Sequence, residues 1–343
     1  MTMFHSSSRR THSPALGCLF AALCLSTAGA AAQTATPGPA PAAVAHASGV
    51  DQGNRAAVNV VEVTSTGMNF DAPDQIPSGW TTFRYHNATG MTHFAQLERL
   101  PDGIGVADQQ LEVAPVFQQG MDLLNAGRFD EALAAFGQLP AWFFEVVFTG
   151  GPGLTAPGRT SETTVYLEPG TYLLECYMKT NGVFHSFNPS GVTYGMVREI
   201  TVTDARSRMS EPEPTLELAI SSEHGIQVDQ DIRPGRHTIA VHFKDQVVHG
   251  HFLGHDVHLV RLQDDTDMAA LATWMDWTQP TGLEVPAPAE FLGGVSDMPA
   301  GSTGYMSVVL TPGRYAWIAE VPDPAGKNML KTFTVPFGNH TGH

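Results

Sequence analysis

From residue 57 onward, apolar and polar residues alternate in short runs separated by Gly, Pro and Asn. Ala57–Thr64, Trp80–Tyr85, Phe94–Leu97, Thr163–Leu167, Thr171–Tyr177 and Val197–Val202 read as half-buried strands. Short strands with turn punctuation predict an all-β chain built as a sandwich. Between Ala107 and Phe148 the period changes: Phe117, Met121 and Leu124, then Ala132, Leu133 and Phe136, recur at helical spacing. A helical insertion within the sandwich is therefore expected there. Its Asn125–Leu133 stretch looks like half of a tetratricopeptide repeat. A single copy has no neighbour to stack on, so the simpler expectation is a helix-turn-helix packed on the strands.

The pattern then repeats. Residues 204–216, with Glu211-Pro212-Glu213-Pro214, read as a polar linker. After it, Arg236–Val241 answers Trp80–Tyr85 and His258–Leu262 answers Gln96–Leu100. Phe291–Gly294 answers Phe148–Gly151, and Thr311–Tyr315 answers Glu168–Tyr172. Last, Asn328–Val335 answers Gly195–Val202. Matches in one order point to a tandem duplication, with a first domain over 56–203 and a second over 217–338. A short helical insertion recurs around Met268–Trp277.

The N-terminus adds an address. Arg9 and Arg10 precede the apolar run Ala15–Leu25, and Ala30-Ala31-Ala32 offers a small-residue cleavage site. Residues 1–32 are read as an export signal and 33–55 as a disordered linker. The apolar run is short for a membrane span, and no later segment is apolar enough. The expected location is periplasmic or secreted. The whole chain carries a net charge of −16. Such a surface repels nucleic acid and anionic membranes and favours a basic protein partner.

Beyond the signal, one cysteine remains, Cys176, at the end of Pro169-Gly170-Thr171-Tyr172-Leu173-Leu174-Glu175-Cys176. His185 and Met196 follow it, and His93 stands upstream. A thiolate, two imidazoles and a thioether form a soft donor set suited to copper. Taken singly, each has an ordinary reading: a buried thiol, a polar-face histidine, a loop histidine. Only the set is informative. Met178 stands as a second choice for the thioether. The second half is dense in histidine (His237, His242, His249, His251, His255, His258); surface protonation or a further metal site are both open there. His340 and His343 lie at the C-terminus.

The set His93, Cys176, His185, Met196 resembles the type 1 copper site of the cupredoxins, the family of plastocyanin, azurin and the copper nitrite reductases. The resemblance covers most of both halves. It implies two tandem Greek-key β-sandwiches, one type 1 copper and single-electron transfer with a redox or copper-delivery partner. It makes His93 the strand ligand, Cys176 the thiolate, His185 the loop imidazole and Met196 the axial thioether, with Asn87 bracing the cysteine loop. Eight residues separate Cys176 from His185, a gap that resembles the copper nitrite reductases. Their second copper needs further histidines, but Glu175 and Tyr177 flank Cys176 and Glu98 follows His93. The chain is thus expected to be no enzyme. Copper storage, delivery or a non-redox binding module is the alternative, and a copper reductase or oxidase a lesser one. By the duplication His255 aligns with His93 and Met329 with Met196, but Ala319 stands where Cys176 would. One copper, in the first half, is the expectation.

Overall fold

The computed structural model describes residues 59–188, 195–250 and 252–337. The proposed export signal and linker lie outside these residues, as do His251, His340 and His343. The first half contributes β1 (Val60–Ser65), β2 (Phe70–Asp71), β3 (Gln75–Asn87), β4 (Gln96–Arg99), β5 (Val147–Phe148), β6 (Thr160–Leu167), β7 (Gly170–Glu175), β8 (Lys179–Thr180), β9 (Val183–Phe184) and β10 (Val197–Arg206). The second contributes β11 (Leu216–Ser221), β12 (Gly225–Gln227), β13 (Gly235–Phe243), β14 (Val257–Leu262), β15 (Glu290–Val295), β16 (Thr303–Leu310), β17 (Gly313–Ile318) and β18 (Leu330–Val335). The architecture is mostly β, as the alternation requires. The interval read as a linker from residue 204 is still strand as far as Arg206, because β10 continues alongside Ser78 in β3.

Each half is a sandwich with the same pairings. β1 runs parallel to β3 as β11 does to β13, and β3 opposes β6 as β13 opposes β16. In the facing sheets β4–β7–β10 matches β14–β17–β18, all antiparallel. The Pro-Gly-x-Tyr repeat is copied in detail. Tyr172 donates its hydroxyl to the Glu168 carbonyl at 2.9 Å, and Tyr315 donates to the Thr311 carbonyl at 2.8 Å. β3 serves both sheets of its sandwich: residues 75–78 pair with β10, and from Gly79 onward the strand pairs with β6. The switch falls on Gly79, whose φ of +103° suits glycine and few other residues.

The sequence pattern hides how the halves join. β6 pairs antiparallel with β16, matching Thr163 to Met306, so one 12-stranded sheet runs through both sandwiches. The helical insertion covers the outer face of the β4–β7–β10 layer, with helices at Ala114–Asn125 and Phe129–Phe136. Leu100, Leu173 and Val197 pack under it against Ile104, Val106, Trp142 and Val146. β7 is therefore buried on both faces: Tyr172 and Leu174 point into the sandwich, and Leu173 points toward the insertion. That is why its sequence reads as a near-continuous apolar run before Glu175.

Candidate metal centre

Three chain segments meet at one end of the first sandwich. β7 delivers Cys176 just beyond its last residue. The segment between β3 and β4 delivers His93, whose backbone pairs with Thr155 on both sides (N–H to Thr155 O 3.2 Å, Thr155 N–H to His93 O 2.7 Å). The loop after Cys176 delivers His185. All three side chains are buried. His93 Nδ1 lies 3.2 Å from His185 Nδ1 and 3.5 Å from Cys176 Sγ. The three donor atoms lie within 4.8 Å of one another. Donors that each sit about 2 Å from one ion are spaced like this.

The loop geometry explains the long gap between Cys176 and His185. β8 and β9 form a tight hairpin whose turn is Asn181-Gly182, with φ of +52° and +76°. Both positive values mark the primed turn that Asn-Gly favours. This dipeptide was the local signal for the hairpin. The hairpin also gives Thr180, whose hydroxyl lies 2.8 Å from His185 Nε2. A proton held on Nε2 by that contact leaves Nδ1 free as a donor to a metal.

The backbone locks the set. Cys176 N–H bonds the Met196 carbonyl at 3.0 Å, Met196 N–H bonds the His185 carbonyl at 2.7 Å, and His185 N–H bonds the Met178 carbonyl at 2.7 Å. Gly195 makes this possible, because a side chain there would collide with the His185 carbonyl. Met196 is fully buried just before β10, next to these bonds; residues 189–194 of the preceding segment lie outside the described residues. Met178 is equally buried, so burial alone does not choose between the two thioethers. Asn87 braces a different element from the one expected. Its amide donates to the Met91 carbonyl at 2.7 Å and the Thr155 carbonyl at 2.8 Å, which fixes the segment bearing His93 rather than the cysteine loop.

The electrostatics suit a cation. Burial pushes the Cys176 thiol up to about 12, against backbone hydrogen bonds from Phe94 and Met178 that favour the thiolate. Burial holds His93 down at about 4, and burial together with His93 holds His185 at about 3. Both imidazoles are thus neutral, as metal ligands must be. The Nε2 atom of His93 is buried without a hydrogen-bond partner among the described residues. A metal ion at the three donors would supply the positive charge that the thiolate lacks and reverse the burial effect on it.

A second buried triad escaped the sequence reading: Asp256, His258 and Glu320. It sits at positions answering Phe94, Gln96 and Tyr177. His258 Nδ1 accepts the Leu154 N–H at 3.1 Å, and its Nε2 lies 2.5 Å from Asp256 Oδ2. Asp256 Oδ1 in turn accepts the Glu320 N–H at 2.6 Å, and Tyr177 donates to Glu320 Oε2 at 3.0 Å. With Nδ1 taken up by the Leu154 N–H, the imidazole joins the two halves through that bond. The triad is a polar joint between the halves. Among the other histidines, His255 is buried with its Nδ1 3.3 Å from His249 Nε2. The second half therefore has an imidazole pair of its own, drawn from the β13–β14 loop. It lacks the thiol: Ala319 occupies the position of Cys176.

Comparison with known proteins gives distant likenesses. No protein-family model matches the chain, and no curated protein matches it in sequence. Among solved structures, the chain is similar to auracyanin A, a blue copper protein of Chloroflexus aurantiacus, at 23% identity over 42% of this chain and 98% of that one (TM-score 0.25). It is similar to reduced auracyanin of Roseiflexus castenholzii at 23% identity, over 42% of this chain and 97% of that one (TM-score 0.23). Copper nitrite reductase of Nitrosomonas europaea aligns at 10% identity over 82% of this chain and 93% of its own (TM-score 0.20). The functional reading rests on the site itself.

Proposed function

We propose that the first half binds one copper ion through His93 Nδ1, Cys176 Sγ and His185 Nδ1, with Met196 as fourth donor, and that the protein carries single electrons. The observation that supports this reading is the convergence of two imidazole nitrogens and a lone thiol, all buried. Copper held there supplies a one-electron couple. This chain's residues do the rest. The sandwich fixes His93 and Cys176 on separate strands, and the backbone ring through His185 and Met196 resists movement, so the donors need little rearrangement between redox states. Phe94 and Met178 stabilise the thiolate through their N–H groups. Thr180 orients His185.

Electron transfer fits better than storage or delivery because the three donors are buried, and handing over a metal needs an exposed ligand. An oxidoreductase would need a second redox centre joined to the first, yet Glu175 and Tyr177, not histidines, adjoin Cys176. The acidic chain suits a basic protein partner, and residues 1–32 suit export to the periplasm or beyond. No helix among the described residues is long and apolar enough to cross a membrane. The deciding experiment is the visible spectrum of the copper-loaded protein. An intense thiolate-to-copper charge-transfer band is expected; bound copper without that band rejects the reading.

A further inference from the structure

The helical insertion does more than cover β7. It forms one wall of a cleft whose opposite wall comes from the second half and whose floor is β4 and β7. The walls are aromatic. The Phe117 ring lies tilted against Phe143 at 5.5 Å and edge-on to Trp277 at 5.8 Å, and Phe184 approaches Trp277 edge-on at 5.8 Å.

The floor carries two carboxyls, Glu98 and Glu175. In the β4–β7 register Glu98 lies opposite Leu173 and Gln96 opposite Glu175. Alternation puts Leu173, Glu175 and Glu98 on the face turned from the sandwich core, toward the insertion. On an uncovered sheet these would be solvated polar positions. Here the insertion encloses them: Glu98 is 8% exposed and Glu175 7%.

Their partners differ. Glu175 accepts a hydrogen bond from Gln109 Nε2 at 3.1 Å. Gln109 opens a π-helical turn, Gln109–Val113, that interrupts the insertion's α-helix; such turns recur at binding sites. No hydrogen bond or ion pair among the described residues reaches the Glu98 carboxyl, and no Lys or Arg lines the cleft. Burial and the charges of Glu175 and Asp297 push its titration well above the ordinary range. The Glu98 carboxyl lines the cleft with no protein donor on it, so its lone pairs are open to a ligand's N–H groups.

We infer that this cleft binds a small organic ammonium ion bearing an aromatic or alkyl body. Its N–H groups reach Glu98 and Glu175, its charge sits among ring faces, and its body fills the apolar walls. An anion would meet two carboxyls and no cation. A neutral apolar molecule would leave Glu98 as it is. The chain's net charge of −16 would also draw cations toward it.

The test uses phenethylammonium as probe, with 3-phenylpropionate and benzyl alcohol as anionic and neutral counterparts, in calorimetric titrations of the full protein with and without copper. Saturable one-to-one binding of the ammonium is expected, at least tenfold tighter than either counterpart, and Glu98→Gln should weaken it at least tenfold. Phe143→Leu, which keeps bulk but removes a ring face, should weaken it severalfold and serves if Glu98→Gln fails to fold. No saturable binding, equal binding of benzyl alcohol, or unchanged affinity in a folded variant overturns the inference. Because the copper-free protein is included, a failure of the copper reading leaves this result standing.

Discussion

In the first half the N–H of Cys176 bonds the Met196 carbonyl at 3.0 Å; in the second the N–H of Ala319 bonds the Met329 carbonyl at 3.0 Å. The scaffold has been copied to the level of single backbone bonds, while the chemistry at its tip has not. Between Cys176 and Met196 the chain inserts the β8–β9 hairpin and a histidine. Between Ala319 and Met329 it inserts neither. In place of Phe94, Gln96 and Tyr177 the second half has Asp256, His258 and Glu320, which serve the joint between the sandwiches. A sandwich holds a metal only where loops bring donors together, and those loops can be lost while the strands persist.

The hardest blow to this contrast is Cys176→Ser. It should abolish the charge-transfer band and lower copper affinity more than about 100-fold, beyond what loss of a supporting residue costs. The reverse substitution, Ala319→Cys, should add no second band, because no histidine lies between Ala319 and Met329 as His185 lies between Cys176 and Met196. A coloured second half, seen by copper titration against the Cys176→Ser background, would break the contrast.

Next in size, Met196→Leu should keep copper bound and raise the reduction potential by tens of millivolts, since losing an axial donor disfavours the oxidised ion. Met329→Leu should leave the potential unchanged. Equal responses in redox titration would remove Met196 from the donor set and bring forward Met178.

The smallest effect concerns stability. Burial holds the Asp297 carboxyl at about 8, with Asp256 adding to the shift. Its folded value exceeds its unfolded one, so above the unfolded value the native state binds the extra proton. Stability from this group is present at low pH and is lost as pH rises toward 8. Between about pH 7 and 8 the melting temperature of copper-free protein should fall by a few degrees more in the wild type than in Asp297→Asn. Parallel melting curves across that range would show that Asp297 is not the source.

The sequence shows the strands well, because period-two alternation survives wherever one face meets solvent. It also shows His93, Cys176 and His185, since a lone cysteine between Pro-Gly-x-Tyr and a histidine is unusual enough to stand out. Asn181-Gly182 is itself a strong local signal for the β8–β9 hairpin. The roles of Glu98 and Glu175 could not be read locally. Their alternation assigns them to water, and only the insertion, folded back from elsewhere in the chain, encloses them. The β6–β16 seam was equally hidden, because pairing between distant edges leaves no period in either strand.

That seam has a consequence for how the protein can be taken apart. Edge strands with unpaired N–H and C=O groups invite other chains to add on. Here each half satisfies the other's edge, so the duplication acts as its own cap. A chain cut between the halves would present β6 or β16 as a raw border, and the excised piece should self-associate through it. The economical unit for expression, crystallisation and evolution is therefore the pair, even though only one member carries the thiol.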